Sequence, residues 1–395
     1  MYFCSRFSFA TKVRMIYLDY NATTPCAPEV VTAMLPWFSE KFGNSGSRNH
    51  AFGWQADAAV KHARQQVANL LHADVSEIIF TSGATESCNL ALRGVFERYA
   101  AKGKHIITCL TEHHAVLDTC KALAAQGAEV TYLPVNEDGL LSLEDVKAAI
   151  RPDTILIAIM YANNETGVLQ PVAEIGQIAR QKNLLFFTDA TQAVGKLPID
   201  LSTQPFDLLA MSGHKIYGPK GVGVLYKRRR NPRVSLQAQI TGGGQEEGLR
   251  SGTLNVPGIV GLGEACRLAQ ERQTTESERL AQMRDALEQA FLKEKNILIN
   301  GGGAPRLSHV SNLAIEGIKA AHLAAAMNHE MAFSLGSACT SALSGKSHVL
   351  KAMGFSDRRI DGSFRISLGR ENRIDEVAEI ASAFLKAAEK LRTAQ

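Results

Sequence analysis

The sequence lacks the charge and the long apolar runs that mark two large classes of protein. Its 395 residues carry a formal net charge of only +4. The one dense basic cluster, residues 228–230, is better interpreted as a solvated loop than as a nucleic-acid site. No apolar run approaches the roughly 18 residues that a bilayer-spanning helix needs. We therefore expect neither direct nucleic-acid binding nor insertion into a membrane.

Paired cysteines and nucleotide motifs are also missing. The seven cysteines are an odd number and form no Cys-x-x-Cys pair, which argues against a disulfide framework or a structural zinc site and favours a reducing compartment. A P-loop ending at Gly345-Lys346-Ser347 would need glycine at position 340, which is Thr340. No G-x-G-x-x-G or H-E-x-x-H occurs either. We expect no metal site and a cytoplasmic location.

Residues 1–14 carry three basic side chains and no acid. This composition faintly resembles a transit peptide, but an upstream extension of a start at Met15 explains it equally well. We treat these residues as an N-terminal extension and infer no destination from them.

Strand patterns alternate with helix patterns along most of the chain. Short apolar runs predict strands over residues 77–81, 104–109, 129–133, 154–160 and 183–189, and helical patterns fall between them. Such alternation predicts an α/β fold with a mostly parallel sheet covered by helices on both faces. The length requires more than one ordinary core, so a second, smaller domain is expected.

Residues 207–221 are the most informative stretch of the sequence for function. An apolar run of strand length ends in a turn that contains Lys215, and an amine at a strand end is suited to forming a Schiff base. Taken alone, Lys215 is more simply a solvated loop lysine. Upstream, Asp189 closes another apolar strand and is placed to hold the pyridinium nitrogen of pyridoxal phosphate, although an isolated acid could equally cap a helix. The two features together are much more specific.

From residues 17–25 to residues 364–370, motifs recur in the order found in one family. The chain resembles the cysteine desulfurases, which are pyridoxal-phosphate enzymes of fold-type I, the aspartate-aminotransferase fold. The resemblance implies a large cofactor-binding domain and a smaller α+β domain with a catalytic cysteine loop. The expected divisions are an extension at 1–14, an N-terminal segment packing with the small domain at 15–25, the large domain at 26–258, and the small domain at 259–395 with its loop at about 334–347.

The phosphate of the cofactor is expected at residues 82–87. A glycine turn that opens a helix offers unpaired backbone N–H groups and the positive end of the helix dipole, although a simple helix cap explains the same residues. The resemblance implies that the phosphate cradle comprises Ala84, Thr85, Ser212 and His214. It also implies that Thr253 reaches the phosphate of a neighbouring subunit, which predicts a homodimer.

The resemblance assigns the remaining cavity residues to the ring and the substrate. It implies that His113 stacks on the pyridine ring and exchanges protons with the substrate, a task suited to an imidazole. Asn164 would lie near the cofactor hydroxyl and the substrate carboxylate, and Gln192 would bond the ring oxygen. Arg365 would bind the carboxylate of L-cysteine through its two-pronged guanidinium. Lys215 would remove the Cα proton.

Residues 334–347 surround Cys339 with small and polar side chains. Such a composition predicts a mobile loop with an accessible thiol, whereas an arbitrary cysteine is more often a buried apolar residue. The resemblance implies that Cys339 is the nucleophile that takes sulfur from L-cysteine as a persulfide, leaving L-alanine. The sulfur would pass to acceptors such as an iron–sulfur scaffold or a tRNA-thiolation relay, and Cys339 would also ligate an iron–sulfur cluster transiently.

Two other functions remain open on the sequence. A selenocysteine lyase or another fold-type I aminotransferase would share Lys215 and Asp189; the Cys339 loop argues against an aminotransferase and only weakly against the lyase. A non-catalytic sulfur carrier or scaffold would share the partner surface, but it would not need Lys215, Asp189 and His113.

Overall fold

The computed structural model describes residues 15–335 and 346–393, which exclude Cys339. Within them the helices are α1 (Pro28–Met34), α2 (Pro36–Ser39), α3 (Ala51–Leu71), α4 (Ala84–Tyr99), α5 (His114–Ala124), α6 (Leu143–Ala148), α7 (Val172–Gln181), α8 (Val256–Phe291), α9 (Ala320–Met327), α10 (His348–Ala352), α11 (Asp357–Asp361) and α12 (Val377–Thr393). The strands are β1 (Ile16–Tyr17), β2 (Ile78–Thr81), β3 (His105–Cys109), β4 (Glu129–Leu133), β5 (Thr154–Ala158), β6 (Leu185–Asp189), β7 (Leu208–Ser212), β8 (Gly223–Lys227), β9 (Ile297–Ile299), β10 (Val310–Ile315), β11 (Met331–Ala332) and β12 (Ser363–Ser367). No described helix is both long enough and apolar enough to cross a membrane.

Seven strands form the central sheet in the order β2-β8-β7-β6-β5-β3-β4. Only β8 runs antiparallel to its neighbours, so the other carboxyl ends share one edge. Consecutive strand residues point to opposite faces: Leu208 belongs to the apolar core that contains residues of α4 and α5, while Leu209 belongs to the core that contains residues of α3, α7 and α8. The expected α/β fold with a mostly parallel, helix-covered sheet is therefore confirmed.

A smaller α+β layer contains β12-β10-β9, an antiparallel sheet, and the parallel pair β1-β11. Its core contains Ile16 and Leu18 from the start of the chain together with Phe364 of β12 and Phe384 of α12. The rings of Phe364 and Phe384 stack with centroids 5.2 Å apart. The first described residues thus pack with the smaller layer.

Helix α8 joins the two layers. It has 36 residues, which corresponds to a length of about 54 Å. Its first half, including Leu262 and Cys266, packs in the core beneath the large sheet, whereas Met283 and Phe291 belong to the core of the smaller layer. The proposed domain boundary at residues 258/259 falls in the first turn of this helix.

Two segments depend on contacts outside the local apolar pattern. Strand β1 ends at Tyr17, and the following residues bond to the turn after β7: Thr24 N donates to His214 O at 3.0 Å. Helix α3 begins at Ala51. Its first turn is capped by the imidazole of His50, which accepts from Gly53 N at 3.2 Å, a cap that sequence statistics do not favour.

Candidate active site

The sheet and the smaller layer enclose a cavity of about 460 Å³ at the carboxyl ends of β2, β3, β5, β6 and β7. This is the edge at which open α/β sheets bind ligands. The predicted site residues that line it are Ala84, Thr85, His113, Asn164, Asp189, Gln192, Ser212, His214, Lys215 and Arg365. The structure therefore brings together residues that are distant in the sequence.

Of the two remaining predicted residues, one is described, and it is not among the residues that line the cavity. Thr253 is exposed, in the segment before α8. Cys339 lies outside the described residues, so the structure gives no position for it.

The amine of Lys215 is held by the N-terminal segment. Lys215 ends a single 3₁₀ turn after β7, and its Nζ donates to Asn21 O at 2.5 Å and to Ala22 O at 2.7 Å. These acceptors are neutral carbonyls, which hold the amine by geometry without adding a negative charge. No residue pattern indicates these acceptors, because a backbone carbonyl is present at every residue.

An anion-binding surface forms at the N-terminus of α4. The first backbone N–H groups of an α-helix lack acceptors within the helix, and here Ala84 and Thr85 present them to the cavity. Gly83 has a φ of +156°, a conformation that glycine adopts most easily. A Cβ atom at position 223 would come within 2.6 Å of Gly83 Cα. Strand β8 can therefore lie beneath this turn only because residue 223 is glycine.

His214 completes that end of the cavity as a neutral donor or acceptor. Its Nδ1 lies 3.1 Å from Thr23 Oγ1. Burial lowers the pKa of His214 to about 4, and the positive charges of Lys215 and Lys220 contribute to the shift. The ring is therefore uncharged at neutral pH, and the positive charge near the anion-binding surface comes from the lysines.

Asp189 lies at the end of β6 and is only 6% exposed. Its Oδ1 accepts from Thr191 N at 3.0 Å, and the thiol of Cys88 lies 3.9 Å from its Oδ2. Burial and the negative charge of Asp189 hold the pKa of Cys88 well above its usual range. Cys88 is thus a neutral thiol, and Asp189 keeps acceptor capacity for a protonated ring nitrogen.

His113 caps α5 and presents one defined nitrogen to the cavity. Its Nδ1 accepts from Ala115 N at 3.1 Å, and burial lowers its pKa despite the opposing effect of Asp189. A neutral imidazole that accepts at Nδ1 carries its proton on Nε2. His113 can therefore donate a proton, or a hydrogen bond, from Nε2.

Arg365 projects from β12 and is 1% exposed. Its Nη2 pairs with Asp19, and its Nη1 donates to Asn164 O at 2.7 Å. Among the described residues, its Nε has no hydrogen-bond partner. Of the five N–H donors of a guanidinium, enough remain for an incoming carboxylate.

The segments on either side of residues 336–345 attach to this site. Ser334 pairs with the backbone of Arg365, whose N–H donates to Ser334 O at 2.7 Å. On the other side, Ser347 Oγ donates to the buried carboxylate of Glu165 at 2.5 Å. The stretch that contains Cys339 thus starts and ends next to Arg365 and to Asn164.

Sequence reasoning missed several residues that contact the site. Asn21, Thr23, Glu86, Thr191 and Lys220 also line the cavity. Glu86 accepts from Arg250 Nε at 2.8 Å and so ties the segment before Thr253 to the first turn of α4. The sequence offers one signal of the pair between Glu86 and Arg250. A carboxylate in the first turn of a helix that also binds an anion needs a cationic partner.

The donor set fits pyridoxal phosphate. A phosphate suits the N-terminus of α4 with Ser212 and His214, the carboxylate of Asp189 suits a pyridinium nitrogen, and the amine of Lys215 suits an aldehyde. All of these groups face one cavity. Ala84, Thr85, Ser212, His214, Asp189 and Lys215 would hold the cofactor.

Comparisons with known proteins agree with this chemistry. The family model "Aminotransferase class-V" matches residues 16–380. Cysteine desulfurase IscS of Histophilus somni is 50% identical over 379 residues, covering 95% of this chain and 93% of the relative. Cysteine desulfurase IscS of Escherichia coli O139:H28 is 51% identical over 373 residues, covering 92% of this chain and 91% of the relative.

A solved structure named "NIFS-LIKE PROTEIN" superposes with a TM-score of 0.89 at 36% identity, covering 96% of this chain and all of the other. The matches extend over both layers of the fold and over the residues of the cavity. The chain therefore belongs to the class-V aminotransferase family of pyridoxal-phosphate enzymes and, within it, to the cysteine desulfurases.

Proposed function

We propose that the chain removes sulfur from L-cysteine with pyridoxal phosphate and carries the sulfur as a persulfide on Cys339. The observation that carries this proposal is the meeting of Lys215, Asp189 and His113 in one cavity whose far wall, at Arg365, is bonded to the segment leading to Cys339. When bound, the cofactor supplies an electron-withdrawing ring that takes up the charge released at the substrate Cα.

Arg365 orients the substrate in this proposal. Its remaining donors, including Nε, receive the carboxylate of L-cysteine, while Asp19 and the Asn164 carbonyl keep the guanidinium in place. A fixed, planar guanidinium aligns a carboxylate through two bonds, which a lysine could not do. The substrate Cα is then directed toward Lys215.

Lys215 and His113 handle the protons. The Lys215 amine, held at Asn21 O and Ala22 O, removes the proton from Cα. His113 offers the Nε2 proton of a neutral imidazole on the cavity wall. Both groups lie within a buried site, where proton transfer does not compete with bulk water.

Cys339 performs the sulfur transfer. Its thiolate attacks the sulfur of the substrate, an S–S bond forms, and the C–S bond breaks with its electron pair left on carbon. Protonation of that carbon yields L-alanine, and Cys339 keeps a persulfide. The bonds of Ser334 to Arg365 and of Ser347 to Glu165 support this assignment, because they attach both ends of the segment to the substrate side of the cavity.

The persulfide would serve acceptor proteins, and the chain would work as a homodimer. Acceptors of the expected chemistry are an iron–sulfur scaffold and a tRNA-thiolation relay, with transient cluster ligation by Cys339 and a cytoplasmic location. An exposed apolar face supports dimerisation: its members Leu35, Phe38, Phe42, Phe52 and Trp54 are 49–66% exposed. Thr253, outside its own cavity, would complete the partner's phosphate cradle.

The relatives' names favour desulfuration over the other functions. Both relatives compared above carry the name cysteine desulfurase. The cavity also retains Lys215, Asp189 and His113, which a non-catalytic carrier would not need.

The proposal is tested with Cys339→Ser, using Cys26→Ser as the matched control. Cys339→Ser should bind the cofactor with an unchanged visible spectrum but should form no persulfide when L-cysteine is added, as measured by mass spectrometry of the intact protein. Cys26→Ser should form persulfide normally. Persulfide formation and full turnover in Cys339→Ser would refute the assignment of the nucleophile.

A further inference from the structure

The turn after β6 carries a lysine that the proposed mechanism does not use. Successive turns link Val194 N to Ala190 O and Leu197 N to Ala193 O, each at 2.9 Å. In such a coil, residues four apart lie on the same side, which brings Lys196 beneath Gln192. Lys196 Nζ donates to Gln192 Oε1 at 2.9 Å. Gln192 lines the cavity and is 4% exposed.

Two contacts fix the direction of the Gln192 amide. Its Oε1 accepts from Lys196, and its Nε2 donates to Asn21 O at 3.0 Å. A half-turn of the amide would place oxygen against the carbonyl oxygen of Asn21 and an NH₂ group against the amine of Lys196. The bond to Asn21 would be lost because two carbonyl oxygens cannot bond each other, and the bond to a protonated Lys196 would be lost because an amide nitrogen only donates. The second N–H of Nε2 is left for an acceptor in the cavity.

The same carbonyl connects this amide to the reactive amine. Asn21 O accepts both from Gln192 Nε2 and, at 2.5 Å, from Lys215 Nζ. Lys196, Gln192, Asn21 and Lys215 thus form one hydrogen-bonded chain. A substitution of Lys196 therefore affects the site through Gln192, which lines the cavity.

The contacts around Lys196 indicate that the fold fixes its position and that its bond to Gln192 is not a chance contact. Helix α8 holds its backbone, because Ser277 Oγ donates to Lys196 O at 2.9 Å and Gln273 Nε2 donates to Leu197 O at 2.6 Å. A small cavity of about 30 Å³ adjoins Lys196. Its other charged or titratable lining residues are Tyr20, Lys215, Tyr217, Glu276, His309 and Arg370.

Lys196 has no carboxylate partner within the described part of the chain. Glu276, which lines the same small cavity, is bound by Arg370 at 2.6 Å. Although the residue keeps some surface exposure, burial of its amine lowers the pKa of Lys196 to about 7, and the charges of Lys215 and Arg365 add to the shift. Keeping a charged amine buried near two cations costs free energy. The contact that this amine makes is its hydrogen bond to Gln192 Oε1.

We propose that Lys196 is a positioning residue that acts through Gln192. It holds the side-chain amide so that an N–H of Gln192 faces the cavity and donates to the ring oxygen of bound pyridoxal phosphate. This inference rests on the proposed function, since it presupposes that the cavity binds that cofactor.

The test is a pH titration of the visible absorbance of the holoenzyme. A donor to the ring oxygen favours the deprotonated form of the bound cofactor. Lys196→Met removes the amine at similar volume, so the midpoint of the titration should rise by about 0.3–1 pH unit, the size expected for one hydrogen bond. Lys196→Arg keeps a donor and can extend into the small cavity, so its midpoint should lie closer to that of the wild type.

Lys227→Met is the matched control. Lys227 is also buried and also donates to a neutral oxygen, Val234 O at 3.4 Å, but it does not line the active-site cavity. This variant should show the wild-type midpoint. Thermal unfolding of each apo-protein separates changes in stability from changes at the site.

A double-mutant cycle with Gln192→Ala decides whether Lys196 acts through Gln192. Lys196→Met should add no shift in the Gln192→Ala background. A full shift in that background, or a wild-type midpoint in Lys196→Met alone, would overturn the inference while leaving the proposed function intact. Absence of the cofactor band from the wild-type protein would overturn both.

Discussion

Four polar side chains of the site are almost completely removed from water. Asp189, Gln192, Ser212 and Arg365 are between 1% and 6% exposed, so their interactions with a bound ligand are screened little by solvent. His113 and His214 are kept neutral by the same burial. The cavity therefore places its positive charge on Lys215, Lys220 and Arg365 and leaves the imidazoles free to donate or accept.

Replacing Lys215 tests the attachment of the cofactor. Lys215→Ala removes the only amine that the mechanism joins to the cofactor, so the visible band of the protein-bound Schiff base should disappear and turnover should fall below detection. Lys182→Ala, at an exposed position after α7, is the control and should retain both. A normal band in Lys215→Ala would contradict the role given to this amine.

Residue types predicted part of this site and could not predict the rest. Asp189 and Lys215 both follow apolar strands, and this position is visible in a sequence. The carbonyls of Asn21 and Ala22 carry no such signal, because any residue supplies one. Lys196 was missed for a related reason: its contact depends on the coil after β6, and a lone lysine four residues after a glutamine is common.

At the scale of elements, the ends of the segment around Cys339 are fixed to two different layers. Ser334 bonds to β12 of the smaller layer, whereas Ser347 caps α10 and donates to Glu165, which follows β5. Glu165 is fully buried, and its second oxygen has no hydrogen-bond partner in the described part of the chain. Ser347 therefore supplies a bond that a buried carboxylate needs.

Replacing Ser347 should therefore cost more than the loss of a helix cap. Ser347→Ala removes the cap of α10 and leaves Glu165 without its hydroxyl donor, so the free energy of unfolding should fall by about 2–4 kcal/mol. Ser356→Ala removes only the exposed cap of α11 and should cost about 1 kcal/mol. Urea denaturation of both variants measures the difference, and equal losses would show that the bond to Glu165 contributes nothing.

Elements were predicted best where the apolar pattern was long. The strands that end at Asp189 and near Ser212 were placed well, because buried parallel strands are continuous apolar runs. The contacts of the residues after Tyr17 were not predictable in this way. Those residues bond to the turn at His214, almost two hundred positions away, and local pattern does not encode such a contact.

At the scale of the whole molecule, a dimer would explain both the exposed apolar face and the position of Thr253. The rings of Phe42 and Phe52 lie 5.3 Å apart, so this face is continuous across the turn before α3. The segment before Thr253 is anchored to α4 by Arg250 and to α3 by Arg64, whose Nη2 lies 2.6 Å from Glu246. The segment that leads to Thr253 is thus tied to both α3 and α4.

Hybrid dimers test whether Thr253 acts in the partner's site. Thr253→Ala should weaken cofactor binding about 5- to 10-fold through loss of one phosphate hydrogen bond. A hybrid of a Thr253→Ala subunit with a Lys215→Ala subunit should regain one site of wild-type affinity, because the first supplies Lys215 and the second supplies Thr253. A hybrid that binds the cofactor no better than the Thr253→Ala homodimer would place Thr253 in its own subunit's site, or in none.

The buried histidines predict how stability depends on pH. Burial holds the pKa of His309 well below its usual range, aided by the charges of Lys196 and Arg284, and the pKa of His113 is lowered in the same direction. The unfolded chain then binds more protons than the folded chain as pH falls through about 6.5. Stability should accordingly decrease from about pH 7 downward, by at most about 1.4 kcal/mol per pH unit for each such histidine.

Replacing His309 isolates one of these contributions. Urea denaturation of the apo-protein between pH 7 and 5 should give a shallower pH dependence for His309→Asn than for the wild type. His62→Asn, at an exposed position on α3, is the control and should keep the wild-type slope. An identical slope in His309→Asn would show that His309 does not remain neutral in the folded protein.

The central claim is the removal of sulfur from L-cysteine, and product analysis tests it most directly. L-cysteine is added to the purified holoenzyme with a thiol reductant, and alanine and sulfide are assayed in the same tube while the visible spectrum is recorded. We predict a spectral shift with alanine and sulfide formed in equal amounts. Transamination products without sulfide would contradict the account and identify the chain as an aminotransferase, and a protein without a visible band would contradict the cofactor assignment itself.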